Sequence, residues 1–157
     1  MDFAIDPPNG VSPLQIGMGY EQALNAISMW GTPKTSGPHA HTSTVKLRVD
    51  YHSLDIVAHL EDGETLTAIE LWRFDGDEPD VRVLLDGIDL FRTPAREVLR
   101  QQAERGRRVD ESDPENAVIP DVTLAFTRDT GQEVPREPDG LPLYFTSILV
   151  ANEEYYS

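Results

Sequence analysis

The clearest pattern in the chain is an alternation of apolar and polar residues between positions 44 and 74. Every second residue is apolar in residues 44–51 and again in 54–60. A period of two is typical of a half-buried strand, because successive side chains point to opposite faces. Asp62-Gly63 is a tight-turn signal, and residues 65–74 complete the pattern. We therefore predict an antiparallel meander of three strands with a core side and a mixed side.

A short amphipathic helix is predicted upstream of this meander, over residues 20–29. Ala23, Leu24 and Ile27 form one apolar stripe at helical spacing. Gly31 suits the position just after a helix, and Pro33 prevents its continuation. Residues 34–43 then read as a loop.

The second half of the chain carries a second predicted helix, over residues 94–105. Thr93 suits the N-cap, Pro94 suits the first turn, and Gly106 ends the helix. Residues 107–116 are charged and read as an exposed loop. Further strands are predicted over 81–85, 121–127 and 143–151.

The two halves resemble each other at an offset of 75 positions. Gly31 falls on Gly106, Leu24 on Leu99, and Leu47 on Val122. This correspondence favours a tandem of two α+β repeats, at 11–75 and 86–151, that share one core or one sheet. Chance similarity of two helix–strand units is the alternative.

These patterns predict a single domain over residues 1–157 of the α+β class. Its antiparallel β-sheet carries two short helices packed on one face. A chain of 157 residues with 39% hydrophobic residues is long enough to bury such a core.

Charge and composition narrow the function. The net charge is −15, from 28 acidic and 13 basic residues, and only two of the basic residues are lysines. Nucleic-acid binding is not expected, because phosphate contacts need clustered cations. The acidity reflects solubility, adaptation to a salty cytoplasm, or an acidic surface that meets a basic partner.

The chain contains no cysteine, which excludes disulfides, Cys-ligated zinc and thiol catalysis. Its first ten residues lack the pattern of a signal peptide, and no apolar run approaches about 18 residues. We therefore expect a cytoplasmic protein with no membrane contact and no cofactor.

The stretch over residues 11–33 resembles a motif of two protein families, the β-lactamase-inhibitor proteins and the small outer-membrane assembly lipoproteins. The matching residues are Ile16, Gly17-Met18, Ala23, Leu24, Gly31 and Pro33. The resemblance implies a helix packed on an antiparallel sheet, which the inhibitor branch repeats in tandem. The chain lacks the disulfides of the inhibitors and the lipid-bearing cysteine of the lipoproteins, so we transfer the fold and not β-lactamase inhibition.

Histidines provide the only candidate for a metal site. His39 and His41 are two residues apart on a predicted loop and could both bind one metal ion. His52 or His59 would then complete the metal site. The alternative is a polar loop with unrelated strand histidines. No catalytic residue is predicted, because the chain carries none of the usual nucleophile, phosphate-loop or metalloprotease motifs.

The mixed side of the predicted sheet is the best candidate for function, because aromatic and Arg side chains are enriched in interface hot spots. Its candidate partner-binding residues are Arg48, His52, Val57, His59, Glu70, Trp72 and Phe74.

The leading hypothesis is a non-enzymatic protein-binding module, immunity- or inhibitor-like, whose partner is another protein, with a basic protein as one option. One alternative is a small-ligand or metal-binding protein or enzyme with a His-based site. The other is a structural subunit that forms a homo-oligomer, for example a homodimer. If the chain's own helices cover this side of the sheet, it is not available to a partner, and the interface hypothesis loses its support.

Overall fold

The computed structural model describes residues 1–76, 78–128 and 134–152. In this part of the chain, 13 strands form two sheets and two α-helices accompany them. The strands of the first half are β1 (Asp2–Asp6), β2 (Gly10–Val11), β3 (Leu14–Gln15), β4 (Lys34–Ser36), β5 (Val45–Tyr51), β6 (Leu54–Leu60) and β7 (Ala68–Trp72). Those of the second half are β8 (Arg82–Leu85), β9 (Ile88–Asp89), β10 (Asp110–Asp113), β11 (Asn116–Ile119), β12 (Leu124–Thr127) and β13 (Ser147–Ala151). The helices are α1 (Tyr20–Ile27) and α2 (Ala95–Glu104).

The larger sheet has eight strands in the order β10-β11-β12-β13-β7-β6-β5-β4, and every neighbouring pair is antiparallel. Each helix is followed in the chain by four of these strands. The two four-stranded segments meet where β7 pairs with β13, and Glu70 lies opposite Leu149 at the middle of that pair.

The smaller sheet has five strands in the order β3-β2-β1-β8-β9. Its central pair, β1 and β8, is parallel and joins the N-terminal segment to the middle of the chain. The prediction of an α+β fold with mostly antiparallel strands and two short helices is confirmed. The second sheet was not predicted, because its strands outside β1 and β8 are only two residues long and leave no detectable period.

Both helices contribute to one hydrophobic core, together with the inward faces of the two sheets. Helix α1 contacts β5 and β6. It continues as a 3₁₀ turn over Ser28–Trp30, so the helical segment nearly matches the predicted span of 20–29. A side chain at Gly31 would meet the core-facing Val49 methyl at 2.9 Å, which shows how closely the helix end approaches the sheet.

Two predicted loops contain strands. Residues 107–116 hold β10 and the start of β11, and residues 34–43 hold β4. All residues of β4 and β10 are exposed, because both strands lie at edges of the larger sheet. A strand that buries neither face shows no alternation in sequence, so periodicity could not reveal them.

The tandem of 11–75 and 86–151 stays a prediction. In the sequence, the offset of 75 aligns β5 with β12. In the sheet, β12 is the second strand from the boundary between the two halves, and the equivalent strand of the first half is β6. The two alignments therefore disagree by one strand. Among the described residues, no helix combines the length and apolar character that a membrane span requires.

Candidate functional site

The eight-stranded sheet has a second side that turns away from the core, which we call the outer face. The core-facing residues of β5 (Val45, Leu47 and Val49) are buried, so their neighbours point to the outer face. Strand pairing extends this face across seven strands. The two α-helices bury their apolar stripes in the core, on the opposite side.

A row of five paired residues, four of them apolar, crosses the middle of the outer face. Val57 lies opposite Glu70, which lies opposite Leu149, and the row continues through Ala125 to Val118. Val57 is 8% exposed, and the other members of the row are half-buried. Glu70 separates Val57 from Leu149, so the contiguous apolar surface of the row consists of Leu149, Ala125 and Val118, on a face that no described helix covers.

A groove of about 590 Å³ lies at one end of the outer face, over β4 to β7. It is lined by Lys34, Thr35, Ser36, Lys46, Arg48, Asp55, Val57, His59, Glu70 and Trp72. Neighbouring strands are about 4.8 Å apart, so the groove spans roughly 14 Å across four strands. Its apolar floor is Val57 with Trp72, and its remaining lining is polar or charged.

Arg48 and Asp55 form an ion pair within the groove. The Arg48 Nε–H donates to Asp55 Oδ1 at 2.8 Å, and a second bond joins Arg48 Nη2 to Asp55 Oδ2. The hydrogen bond and the charge of Asp55 raise the pKa of Arg48. This two-point contact fixes the guanidinium plane although 62% of the side chain is exposed.

His59 and Glu70 form a second pair, with Nε2 and Oε1 3.2 Å apart. Burial acts to raise the pKa of Glu70, but the hydrogen bond and charge of His59, a hydrogen bond from the Trp72 side chain and the charge of Lys46 outweigh it. The net result is a lowered pKa, so Glu70 carries its charge at neutral pH.

The groove also contains both lysines of the chain, Lys34 and Lys46. Both are exposed, and neither forms an ion pair within 4.0 Å with any described residue. Lys34 lies opposite Arg48 in the β4–β5 pair, and Lys46 lies opposite Ser36. Three cations thus cluster at this end of the face.

Five of the seven predicted partner-binding residues line this groove: Arg48, Val57, His59, Glu70 and Trp72. The other two lie elsewhere. His52 occupies the turn between β5 and β6 with a positive φ of 49°, and its ring contacts Tyr51. It is exposed at the end of the hairpin, outside the groove.

Phe74 is not on the outer face, which corrects its predicted position. It is 1% exposed and belongs to the core, where its ring meets Phe91 edge-on at 6.2 Å. The Arg73 and Arg92 guanidiniums lie 4.9 and 4.5 Å from its centre. Alternation predicted the wrong side because β7 ends at Trp72, and the chain no longer follows the strand period beyond that residue.

The predicted metal candidates, His39 and His41, are exposed in the loop after β4. His39 exchanges backbone hydrogen bonds with Thr42. The part of the chain described by the structure contains no group of three or more His, Asp or Glu residues that could hold a metal ion.

The sequence reasoning missed the β4 side of the groove: Lys34, Thr35 and Ser36. It also placed Lys46 on the mixed side without naming it as a site residue. The scarcity of lysine was the available signal, since both lysines of a chain with a net charge of −15 converge on one groove.

Comparison of the chain with protein-family models, with curated proteins and with solved structures gave no match.

Proposed function

We propose that this chain is a non-enzymatic protein-binding module whose partner docks on the outer face of the eight-stranded sheet. The observation that carries the proposal is the contiguous apolar surface of Leu149, Ala125 and Val118, with Trp72 nearby on β7, on a face that no described helix covers. Contiguous apolar surface that remains accessible is a mark of interaction sites.

The composition of the face supports a protein partner. Trp and Arg are enriched in binding hot spots, and Trp72 and Arg48 both lie here. The Arg48–Asp55 ion pair and the His59–Glu70 hydrogen bond supply polar groups next to the apolar side chains, as in a typical interface. We include in this proposal that the role is immunity- or inhibitor-like. The resemblance of residues 11–33 to inhibitor proteins is consistent with such a role.

The test compares affinity capture from the native cell extract by the wild type and by a double variant, Trp72→Glu/Leu149→Glu. Both positions are half-buried on the outer face, so a charge there disrupts docking while the core stays intact. Met29→Glu is the control, because Met29 is an apolar side chain with 73% exposure in the 3₁₀ turn that follows α1, outside the outer face.

A protein that the wild type and the control retain, and that the double variant loses, supports the proposal. Equal recovery by all three variants, or recovery of nothing by the wild type, contradicts it. Unfolding curves of the three proteins establish that loss of capture is not loss of fold.

The second candidate is a small-ligand protein or enzyme with a His-based site. The observation that favours it is the His59–Glu70 pair inside a concavity of about 590 Å³, since such pairs serve in acid–base chemistry. A screen of small metabolites by thermal shift separates the two, because a His-based ligand site requires a Tm increase that His59→Ala abolishes.

The third candidate, a homo-oligomer, uses the same apolar row. Light scattering of the wild type and of Trp72→Glu/Leu149→Glu decides this case, because a dimer formed through the outer face becomes monomeric in the double variant.

A further inference from the structure

We infer that the groove over β4 to β7 receives an acidic segment of the partner protein, with one large apolar side chain near its acidic residues. This inference rests on the proposed function and specifies the chemistry of the partner at that surface. It concerns the docked segment and leaves the net charge of the whole partner open.

The two groove side chains that carry a charge and form no ion pair with any described residue are both lysines. Arg48 is paired with Asp55, and Glu70 is paired with His59. Lys34 and Lys46 have no ion-pair partner within 4.0 Å among the described residues and are exposed. They are diagonal neighbours across the β4–β5 pair, a relationship that places their backbones roughly 7–8 Å apart. Adjacent carboxylates on one ligand can therefore contact both ammonium groups.

The net charge of −15 does not prevent this contact at physiological salt. The Debye length is about 8 Å at 0.15 M ionic strength, so charges on distant parts of the surface are largely screened. A carboxylate seated between Lys34 and Lys46 lies within that distance of both. The local field of the groove therefore dominates its interaction.

The apolar part of the groove defines the second half of the ligand. Val57 on β6 lies one strand spacing from Lys46 and two from Lys34, and Trp72 on β7 lies two and three spacings from them. The average is two spacings, or roughly 10 Å. An extended peptide covers roughly 10 Å in three residues. The expected segment thus carries an acidic pair and, about three residues away, a Leu, Ile, Phe or similar side chain.

The probe is a phage-displayed library of random dodecapeptides, selected at 0.15 M NaCl against the immobilised full chain. We expect the enriched peptides to carry adjacent Asp or Glu residues with a large apolar residue about three positions away. They should fail to bind Lys34→Glu/Lys46→Glu and should still bind Arg108→Glu/Arg82→Glu.

The control variant changes the net charge by the same amount as the groove variant. Arg108 and Arg82 have side chains 74% and 54% exposed and lie outside the groove. For an enriched peptide in fluorescence anisotropy, the groove variant should weaken binding by roughly 10- to 100-fold, the size expected for losing and reversing two exposed ion pairs. Circular dichroism of both variants establishes that each is folded.

Several outcomes overturn the inference. Enrichment of basic or purely apolar peptides that still require Trp72 rejects the acidic segment and leaves the proposed function intact. Absence of any enriched motif rejects it also. Displacement of the peptide by millimolar inorganic phosphate at constant ionic strength identifies a small-anion site. A dimer that Lys34→Glu/Lys46→Glu dissociates identifies the acidic edge strand β10 of a second copy as the occupant.

Discussion

His59 Nε2 on β6 and Glu70 Oε1 on β7 lie 3.2 Å apart between two strands of the outer face, in the groove that we assign to the partner. Their side chains are only 18% and 24% exposed, so the pair is shielded from much of the solvent. This geometry makes Glu70 a partly buried acidic group whose charge contributes to the folded state of the groove.

Replacement of Glu70 should alter the acid stability of the protein. The net lowering of the Glu70 pKa from its ordinary value of 4.5 means that the unfolded state binds the proton more tightly. The stabilisation by Glu70 is therefore present above about pH 4.5 and is lost as the pH falls through the folded-state pKa. We expect Glu70→Gln to lower the free energy of unfolding by about 1 kcal/mol at pH 7 and by much less at pH 3.

Urea denaturation at pH 7, 5, 4 and 3 measures this difference. Glu111→Gln, at an exposed position of β10, serves as the control and should follow the wild type. A constant gap between Glu70→Gln and the wild type over the whole range would refute the prediction.

Phe74 and Trp72 should differ strongly in their contribution to stability although they are two residues apart. Phe74 is 1% exposed in the core, and Trp72 is half-buried on the outer face. Phe74→Ala should cost about 3–5 kcal/mol because it leaves a cavity and removes the contacts with Arg73 and Arg92. Trp72→Ala should cost about 1–2 kcal/mol, since less of its surface is removed from water. Urea denaturation measures the free energy of unfolding of both variants. A larger loss of stability for Trp72→Ala than for Phe74→Ala would contradict the end of β7 at Trp72.

Gly31 should tolerate no side chain while Val49 is present. Its φ of 152° lies in a region that favours glycine, and an added Cβ would lie 2.9 Å from Val49 Cγ2. We expect Gly31→Ala to cost about 2–3 kcal/mol, the sum of backbone strain and the clash. Gly19→Ala should cost less than about 1 kcal/mol, because Gly19 has a φ of −78° and no neighbour of its Cβ position within 3.8 Å.

A double-mutant cycle with Val49→Ala separates the two causes. If the clash contributes, the combined variant Gly31→Ala/Val49→Ala loses less stability than the sum of the single variants. Strict additivity would show that backbone conformation alone penalises Gly31→Ala.

Glu137 should be the most sensitive acidic residue of the region around α2. It accepts a hydrogen bond from Arg128 Nη1 at 3.3 Å, and the two side chains are 9% and 6% exposed. Removing one member of a buried pair leaves the other charge without compensation, so Glu137→Gln should cost about 3–5 kcal/mol. Arg96 bonds the same carboxylate at 3.1 Å from the surface, with 67% of its side chain exposed, and Arg96→Gln should cost less than about 1 kcal/mol. Thermal unfolding of the two variants measures the contrast, and similar losses would argue against burial as the cause.

Some of the groove could be predicted from the sequence. The alternation in β5 and β6 identified the strands, their lengths and their two faces, so Arg48, Val57 and His59 were assigned to the outer face. The same period placed Glu70 and Trp72 on that face. It failed two residues later, at Phe74, because a period of two holds only while the chain remains in a strand.

The groove as a whole could not be predicted, because its cationic side comes from an edge strand. Residues Lys34–Ser36 bury neither face and therefore carry no hydrophobic pattern. Their position follows from pairing with β5, and that pairing brings Lys34 beside Arg48. Likewise, Leu149 lies beside Glu70 on the outer face because β13, which pairs with β12 of its own half, also pairs with β7.

The sequence by itself determined the local elements of this protein: two amphipathic helices, the β5–β7 meander, and a charge balance that argues against nucleic-acid binding. These properties depend on residues close together in the chain, and periodicity and composition record them directly. Tertiary structure decided which strands are neighbours, that two sheets form, and that Phe74 is buried while both lysines meet in one groove. Those outcomes depend on pairing between distant segments, where many registers satisfy the same local pattern and only packing of the whole core selects one.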